Sequence, residues 1–447
     1  MRRFASIASG LFACVAGCGD DGVHKLADAP LPPDDAIDAP ASGTANITTN
    51  VRCCAVAAGT PQAGVQIVVI HGDRTVGATA TTDAQGKATV TVSAGDSVHA
   101  IYPEDTVNLT RELATYVGVK PGDNLTFGEA SFTPDAAGVS GQINVSWPAV
   151  TGAHHYQVFS PCDGAYTTGL DTTFSLFPYC QTPTAPIVFV AYDLNDKILA
   201  TSYLPAATFT PGTLPAITWT TIAAPNYAVS VSGLDAAVDD LSFYVTAVYP
   251  RVSFGQNSFP PITGGAASAT FTAPASATRM LAEMNLRKNG TDGRQTYFKA
   301  QPTAATFTAP MPWINGIAVS LGEGKAVWLQ TAGTYDAATF AFNWNTFDGT
   351  SSHYFNWNVI VPPGVTMLDF GTPPAALAPY LPSTSDNVGT DLRLVDLANA
   401  SSYDELRALG ESFAMDPYGS VQSGAVPSAG MSSYDGGEGF SFVSRAK

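Results

Sequence analysis

The chain has 447 residues, and its 20 lysines and arginines stand against 37 aspartates and glutamates, which makes the formal net charge −17. With this charge and no basic cluster, the chain is not expected to bind nucleic acid, because binding to phosphates depends on neutralising cations. Charged residues make up only 13% of the chain, whereas glycine (41) and proline (32) are plentiful, so the composition favours many short strands and turns. The length predicts roughly three domains, each with a sizeable core.

Residues 1–17 have the features of an export signal. Two arginines precede the mostly apolar run Phe4–Ala16, which is shorter than the roughly 20 residues of a membrane-spanning helix. The run ends in Val15-Ala16-Gly17-Cys18, which resembles the lipobox of bacterial lipoproteins. This resemblance implies that Cys18 becomes the acylated mature N-terminus and that the membrane is a partner through this lipid anchor. The alternative is a plain signal peptide that is cleaved elsewhere.

Residues 18–43 predict an acidic, proline-rich tether. Large apolar residues are few in this segment, so burial cannot offset the entropy of ordering it. The repeated Asp-Ala-Pro, at Asp28–Pro30 and Asp38–Pro40, resembles the tethers of myxobacterial lipoproteins. In lipoproteins an aspartate directly after the lipidated cysteine often retains the protein in the inner membrane, and here Gly19 occupies that position. The resemblance therefore implies a place in the bacterial cell envelope, at the outer membrane or the cell surface.

Four cysteines remain once the signal is removed and Cys18 is acylated, and in an exported chain they suggest disulfides. We favour a Cys162–Cys180 bond, because the segment between these residues can fold as a hairpin or long loop, and closing it contributes about 3 kcal/mol. Cys53 and Cys54 point to opposite faces of a strand and pair only through a strained ring, so a vicinal disulfide and two free thiols both stay open. Zinc is disfavoured, because its sites prefer more widely spaced cysteines and nearby histidines.

From Thr44 onward apolar residues alternate with a period of two, and helical periodicity is rare before residue 400. This pattern predicts an all-β fold of tandem antiparallel β-sandwiches. A recurrent phrase, an aromatic residue between hydroxyl residues and then a proline, is typical of a strand that proline stops. The phrases lie at 131–134, 208–211, 270–274 and 306–310. The units predicted from these marks are 44–135, 136–222, 223–310 and 311–447.

The unit 44–135 contains a strand that is apolar on both faces, Val65–Ile70, and a turn at Asp83–Gly86 that leads into an alternating strand. The stretches Ala63–Val65, Thr82–Lys87 and Ala94–Asp96 resemble carboxypeptidase-regulatory-like and bacterial Ig-like modules. Such modules serve as stalks and spacers, so the resemblance implies no catalysis here.

The unit 136–222 opens with Ile143, Val145 and Trp147 at alternate positions, followed by Tyr156-x-Val158. This order resembles the start of a fibronectin type III domain and implies that Trp147 lies in the core between two sheets. The sequence Asp193–Asp196 predicts a hairpin turn, whereas a calcium site there would need more carboxylates in register.

In the unit 311–447 two strands alternate aromatic and asparagine residues. Phe340, Phe342 and Trp344 share one face, as do Phe355, Trp357 and Val359, and the asparagines at 343, 345, 356 and 358 take the opposite face. One interpretation is a sandwich core with a polar outer surface. The other is a carbohydrate platform whose ligand face consists of Trp344, Trp357, Asn343 and Asn356. Further on, Ser402–Glu405 has the form of a capping box and predicts a short helix over 402–413.

Catalytic signatures are missing, since the sequence has no Gly-x-Ser-x-Gly elbow, His-Glu-x-x-His pair, Walker loop or Rossmann fingerprint. Gly95-Asp96-Ser97 resembles the nucleophile of serine proteases, but Val98 replaces the glycine that follows it there. We therefore expect no catalytic residues, no metal site and no cofactor. The resulting hypothesis is a lipid-anchored cell-envelope protein of binding or structural type. Its alternatives are a surface carbohydrate-binding or adhesin lipoprotein with a protein or glycan partner, and a hydrolase with β-sandwich accessory modules.

Overall fold

The structure is a computed structural model, and its described part lies within the compact unit formed by residues 41–447. The described residues are 42–446 except 53–59, 107, 129–140, 161–163, 177–183, 209–216, 251, 289–292, 301–302, 309–311, 372–374, 376, 398–399, 401 and 416–436. Within these described residues the architecture is all β apart from three short helical segments, which confirms the predicted fold class.

The first seven strands form a sandwich. They are Ser42–Thr49 (β1), Gln66–Ile70 (β2), Val76–Thr81 (β3), Lys87–Ser93 (β4), Asp96–Ile101 (β5), Thr110–Val119 (β6) and Asn124–Phe127 (β7). One sheet has the order β4-β1-β7, and β6, β5, β2 and β3 follow one another in the facing sheet. Residues 67–69 of β2 are fully buried, which confirms that this strand is covered on both faces. The predicted turn is present, because Asp83 Oδ1 accepts from the backbone N–H of Gln85 and Lys87 at 2.9 Å each.

The next seven strands form a five-stranded sheet and a pair. They are Gly141–Ser146 (β8), His155–Phe159 (β9), Gly164–Thr167 (β10), Asp171–Leu176 (β11), Thr184–Tyr192 (β12), Ile198–Thr208 (β13) and Thr220–Thr221 (β14). The sheet has the order β10-β9-β12-β13-β14, and β11 pairs with β8. Trp147 is buried with its ring 5.5 Å from that of Tyr156, which confirms its predicted core position. The hairpin turn is also confirmed, since Asp193 Oδ1 accepts from Lys197 N at 2.9 Å.

Seven further strands follow. They are Tyr227–Ser232 (β15), Val238–Tyr249 (β16), Val252–Ser258 (β17), Ala266–Phe271 (β18), Arg279–Lys288 (β19), Gly293–Ala300 (β20) and Ala304–Thr308 (β21). A small sheet has the order β18-β15-β21, and it packs on β16 through the stacked rings of Phe243 and Phe307, 6.4 Å apart. The described parts of three recurrent phrases lie at strand ends, where β13 ends at Thr208, β18 at Phe271 and β21 at Thr308. The phrase at 131–134 and residues 209–211 and 309–310 lie outside the described residues.

The last strands are Ile314–Ser320 (β22), Lys325–Gln330 (β23), Ala337–Phe347 (β24), Ser352–Val361 (β25), Met367–Asp369 (β26), Gly389–Leu397 (β27) and Gly437–Ala446 (β28). The helical segments are a 3₁₀ turn at Ala378–Tyr380 and the helices Tyr403–Leu409 (α1) and Glu411–Met415 (α2). Ser402 caps α1 by accepting from Glu405 N at 3.3 Å, and Gly410 separates α1 from α2 where the sequence predicts one helix over 402–413. Within the described part of the chain, no helix has the length and apolar character needed to cross a membrane.

The largest sheet joins segments that the sequence assigns to different units. Its order is β17-β16-β19-β20-β28-β27-β24-β25-β6-β5-β2-β3. Its neighbours are antiparallel except β25 and β6, which run parallel from the pair Tyr354 and Thr110 to the pair Ile360 and Tyr116. The N-terminal sandwich thus continues into the C-terminal strands through a single seam, the β6–β25 pairing. The unit boundaries taken from the sequence stay a prediction.

A buried chain of hydrogen bonds crosses this seam. Trp357 Nε1 donates to Thr115 Oγ1 at 3.0 Å, and the same hydroxyl lies 2.9 Å from His99 Nδ1. All three side chains are buried. Each of these polar groups would cost free energy if left unpaired in the interior, so the chain favours this register of β25 on β6.

The two helices lie over the seam and contact both sides of it. Tyr403 Oη donates to the carbonyl oxygen of Val117 in β6 at 2.7 Å and to that of Ile360 in β25 at 2.9 Å. The buried Glu411 carboxylate accepts from Gly128 N and from Asn358 Nδ2, both at 2.8 Å. It also pairs with Arg52, and Arg407 pairs with Asp123 at 2.7 Å. These partners come from the N-terminal sandwich and from β25, so the helices fasten the two together.

Thr115→Val is expected to destabilise the protein by about 2–6 kcal/mol, because it leaves Trp357 Nε1 and His99 Nδ1 unpaired at about 1–3 kcal/mol each. The matched control is Thr339→Val, since Thr339 is equally buried but its hydroxyl has no hydrogen-bond partner among the described residues. That substitution should leave stability unchanged or raise it. Urea unfolding of both variants checks the pair, and equal effects would contradict the proposed role of the seam.

His99 makes stability depend on pH. Burial lowers the pKa of His99 from 6.5 to about 4, so between these values the unfolded chain binds a proton that the folded chain does not. The contribution of His99 to stability should therefore be complete above pH 6.5 and should fall by about 3 kcal/mol as the pH falls to 4. His99→Asn keeps a polar partner for Thr115 and does not titrate. Unfolding measured from pH 4 to pH 7 should show a smaller slope for this variant, and identical slopes would contradict the assignment.

Candidate functional site

The aromatic face predicted as a carbohydrate platform lies in the core. Trp344 is 5% exposed and Trp357 is 2% exposed, and their rings stack on Phe355 and Phe342 at 5.0 and 4.9 Å. Next to them Trp328 of β23 lies 5.0 Å from Phe340, and Phe370, just after β26, lies 5.4 Å from Trp357. A sugar therefore has no access to the rings, and the ligand-face role of the two tryptophans is wrong because their apolar area is used in packing.

The asparagines on the opposite face are divided between solvent and structure. Asn343 is exposed, its cross-strand partner Asn356 is half-buried, and Asn358 donates to Glu411. With the tryptophans behind them, Asn343 and Asn356 share no ring surface with a ligand. The other predicted site residues, Cys18, Cys53, Cys54, Cys162 and Cys180, lie outside the described residues, so their lipid and disulfide roles stay predictions.

The described histidines take structural positions on separate strands and turns. His71 contacts Asp96 at 3.0 Å, and His353 lies between Glu104 at 3.1 Å and Asp348 at 3.0 Å. His154 is exposed and His155 is buried, as expected for neighbours that point to opposite sides. Across the described residues no group of three or more histidines, cysteines or carboxylates is placed to hold a metal.

A groove of about 670 Å³ lies between the five-stranded sheet and strands β17 and β18. It forms because this sheet is covered on both faces. Trp147 and Tyr156 belong to the core on one face, while on the other Phe159 stacks on Phe254 at 5.7 Å and Tyr203 on Tyr249 at 4.7 Å. The groove opens at one end of this second packing layer, and its volume is typical of small-ligand sites.

Three neighbouring rings lie against one another along one wall of the groove, one pair stacked and the other tilted by 32°. His155 of β9 stacks on Tyr192 of β12 at 4.7 Å with an interplanar angle of 10°, and Tyr166 of β10 lies 4.9 Å away on its other neighbouring strand. The rings become more exposed from β9 to the edge strand β10, since His155 is 4% exposed and Tyr166 is 61% exposed. The outer ring is therefore held in place and faces solvent.

Amides and hydroxyls supply most of the remaining lining. Gln157 Oε1 accepts from Tyr192 Oη at 3.2 Å. Burial chiefly, and the nearby Asp196 charge next, raise the pKa of Tyr192 well above its usual value, so its hydroxyl stays a neutral donor. Gln256 spans from β17 to the backbone of Thr272, accepting at 3.0 Å and donating at 2.8 Å. These bonds hold both walls in fixed positions.

Gly255 in the β17 wall leaves room for a tyrosine from the neighbouring strand. A Cβ atom at this position would overlap the Tyr244 ring. Burial raises the pKa of Tyr244, so its hydroxyl is also neutral at physiological pH. The glycine therefore allows the Tyr244 ring of β16 to lie over β17 at this wall of the groove.

Sequence reasoning missed Tyr166, Gln157 and Gln256, because each takes its role from a strand that is distant in the chain. The one available signal was Ile187–Tyr192, a run of apolar residues without alternation, which indicates a strand buried on both faces. Such a strand implies that a second layer packs on this sheet.

Fold and groove together define an all-β protein of several packed sheets with a polar, aromatic-walled surface groove. No protein-family profile matches the chain, and no curated protein sequence matches it. Solved structures with some likeness include a DUF3823 family protein from Parabacteroides merdae, 9% identical over 60% of this chain and 98% of that chain, with a TM-score of 0.16. The Bacillus anthracis TIE protein is 10% identical over 60% and 49%, with a TM-score of 0.14. At these scores the likeness carries no argument about fold or function.

Gly255→Ala is expected to displace Tyr244 and to destabilise the protein by about 1–3 kcal/mol through overpacking. Gly316→Ala is the matched control, because no atom lies within 4 Å of a Cβ at that strand position. Thermal unfolding of the two variants checks the prediction, and the groove wall would be misassigned if both were tolerated alike.

Proposed function

We propose that this protein is a lipid-anchored protein of the bacterial cell envelope whose folded part binds a ligand. The anchor is inferred from Val15-Ala16-Gly17-Cys18, and the acidic segment 18–43 would hold the folded part away from the lipid surface. Acylation of Cys18 by a diacylglyceryl group and further acyl chains would place the protein at the outer membrane or the cell surface.

The observation that carries the binding role is the groove with Tyr166 at its rim. An exposed aromatic side chain that lies against a buried ring, beside an amide held by a hydrogen bond, is the kind of surface that recognition sites use. A purely structural spacer would need neither the recess nor the preorganised rim. We therefore favour a binding protein over a spacer.

Cys18→Ser is expected to abolish acylation and to release the protein from the envelope. Cys14→Ser is the matched control, because Cys14 lies in the segment that signal cleavage removes and should leave the anchor intact. Intact mass and protease shaving of whole cells check this, with wild type and Cys14→Ser showing a lipidated N-terminus and a shaved folded part. An unmodified wild-type protein, or equal behaviour of the two variants, would contradict the anchor.

A further inference from the structure

We infer that the groove binds an uncharged glycan, with one sugar ring stacked on Tyr166 and its hydroxyls bonded by the amides of the two walls. This inference names the ligand class of the groove and so rests on the proposed binding function. It moves the carbohydrate site from the buried tryptophans of β24 and β25 to the junction between β10 and β17.

The first step is the platform. Sugars present flat C–H faces that pack on aromatic rings, and such packing is favourable when the ring is exposed and already immobile. Tyr166 meets both conditions, because 61% of it is exposed while its ring lies against His155. His155 is itself buried and stacks on Tyr192, 4.7 Å away, so the ring that a sugar would contact is backed by two further rings.

The second step is the set of hydrogen-bonding groups. Gln157 lies opposite Tyr166 in the register of β9 and β10, and its carbonyl oxygen is occupied by the Tyr192 hydroxyl. This bond leaves the amide N–H₂ group of Gln157 to donate to a ligand. Asn257 is exposed on β17, across the groove, and Asn195 lies in the β12–β13 turn. Neutral amides that both donate and accept match the hydroxyls of a sugar.

The third step is charge. Among the lining side chains the acidic Asp196 is followed directly by the basic Lys197, so the groove has no strong preference for an anion or a cation. The protein as a whole carries −17, which repels polyanionic ligands. A neutral, hydroxyl-rich ligand is what remains compatible with both the local and the global charge.

An extended peptide that adds to the edge strand β17 is the competing occupant. Such a peptide gains its affinity from main-chain hydrogen bonds and not from one ring. Loss of the Tyr166 ring would then have little effect, whereas a stacked sugar loses most of its contact. Tyr166 is therefore the residue at which the two occupants differ.

The test uses the purified full-length protein in a detergent without a sugar head group, because a glycosidic detergent would itself fill the groove. Arrays of neutral and acidic oligosaccharides identify a probe, and calorimetry gives its Kd. We expect a neutral oligosaccharide to bind, Tyr166→Ala to weaken it at least about tenfold, and Tyr166→Phe to retain it. Tyr354→Ala is the matched control, since Tyr354 is 54% exposed on β25 and does not line the groove.

Three results would overturn the inference: folded protein that binds no neutral oligosaccharide, binding only to acidic glycans or peptides, and a Kd that Tyr166→Ala leaves unchanged. Circular dichroism of each variant shows that it is folded. These results are independent of the anchor, which is measured on cells with Cys18→Ser. A protein that binds glycan but is not acylated would support the glycan site and contradict the anchor. A protein that is acylated but binds no glycan would support the anchor and contradict the glycan site.

Discussion

The parallel pairing of β6 with β25 is the interaction on which the rest of the structure depends. Without it, β6 would be the open edge of the N-terminal sandwich and β25 the open edge of the C-terminal strands, each with unpaired backbone groups. The buried bonds from Trp357 to Thr115 and from Thr115 to His99 favour one register, because a slip by one residue would turn these polar groups away from one another. One seam thereby turns two sets of strands into a sheet of twelve.

The helices that follow β27 contact both sides of the β6–β25 pairing through buried charged side chains. Arg407 and Glu411 are each 2% exposed, so each would be costly to bury without its partners. Their partners lie in the N-terminal sandwich, in β25 and in α1 itself. A buried pair of this kind adds little net stability compared with apolar packing, but it penalises every docking that separates the charges. The helices thus contribute specificity of position more than free energy.

The groove arises because both faces of the five-stranded sheet are packed, one in its own core and the other on β16 and β17. The outer face of that sheet carries aromatic residues that pack on β16 and β17, and where this layer ends the sheet and β17 diverge. The side chains at this end are immobilised by the same packing, through the ring stack on one wall and the Gln256 bonds on the other. A recess with a fixed lining binds a ligand at a smaller entropic cost than a mobile surface. The proposed glycan site therefore follows from the architecture and needs no separate catalytic or metal-binding element.

Local patterns determined much of this protein. The period of two predicted the all-β class, Asp193 and Asp83 predicted their turns, Trp147 predicted a core, and Ser402 predicted the helix, because each of these depends on residues close in the chain. The tertiary structure alone decided which faces are inside. It buried Trp344 and Trp357 in the core, paired β6 with β25 across 242 residues at the bond from Trp357 to Thr115, and brought Tyr166 to the groove beside β17. Alternation shows that a strand has two different faces, but the partner that covers each face comes from distant segments, and no local pattern encodes that choice.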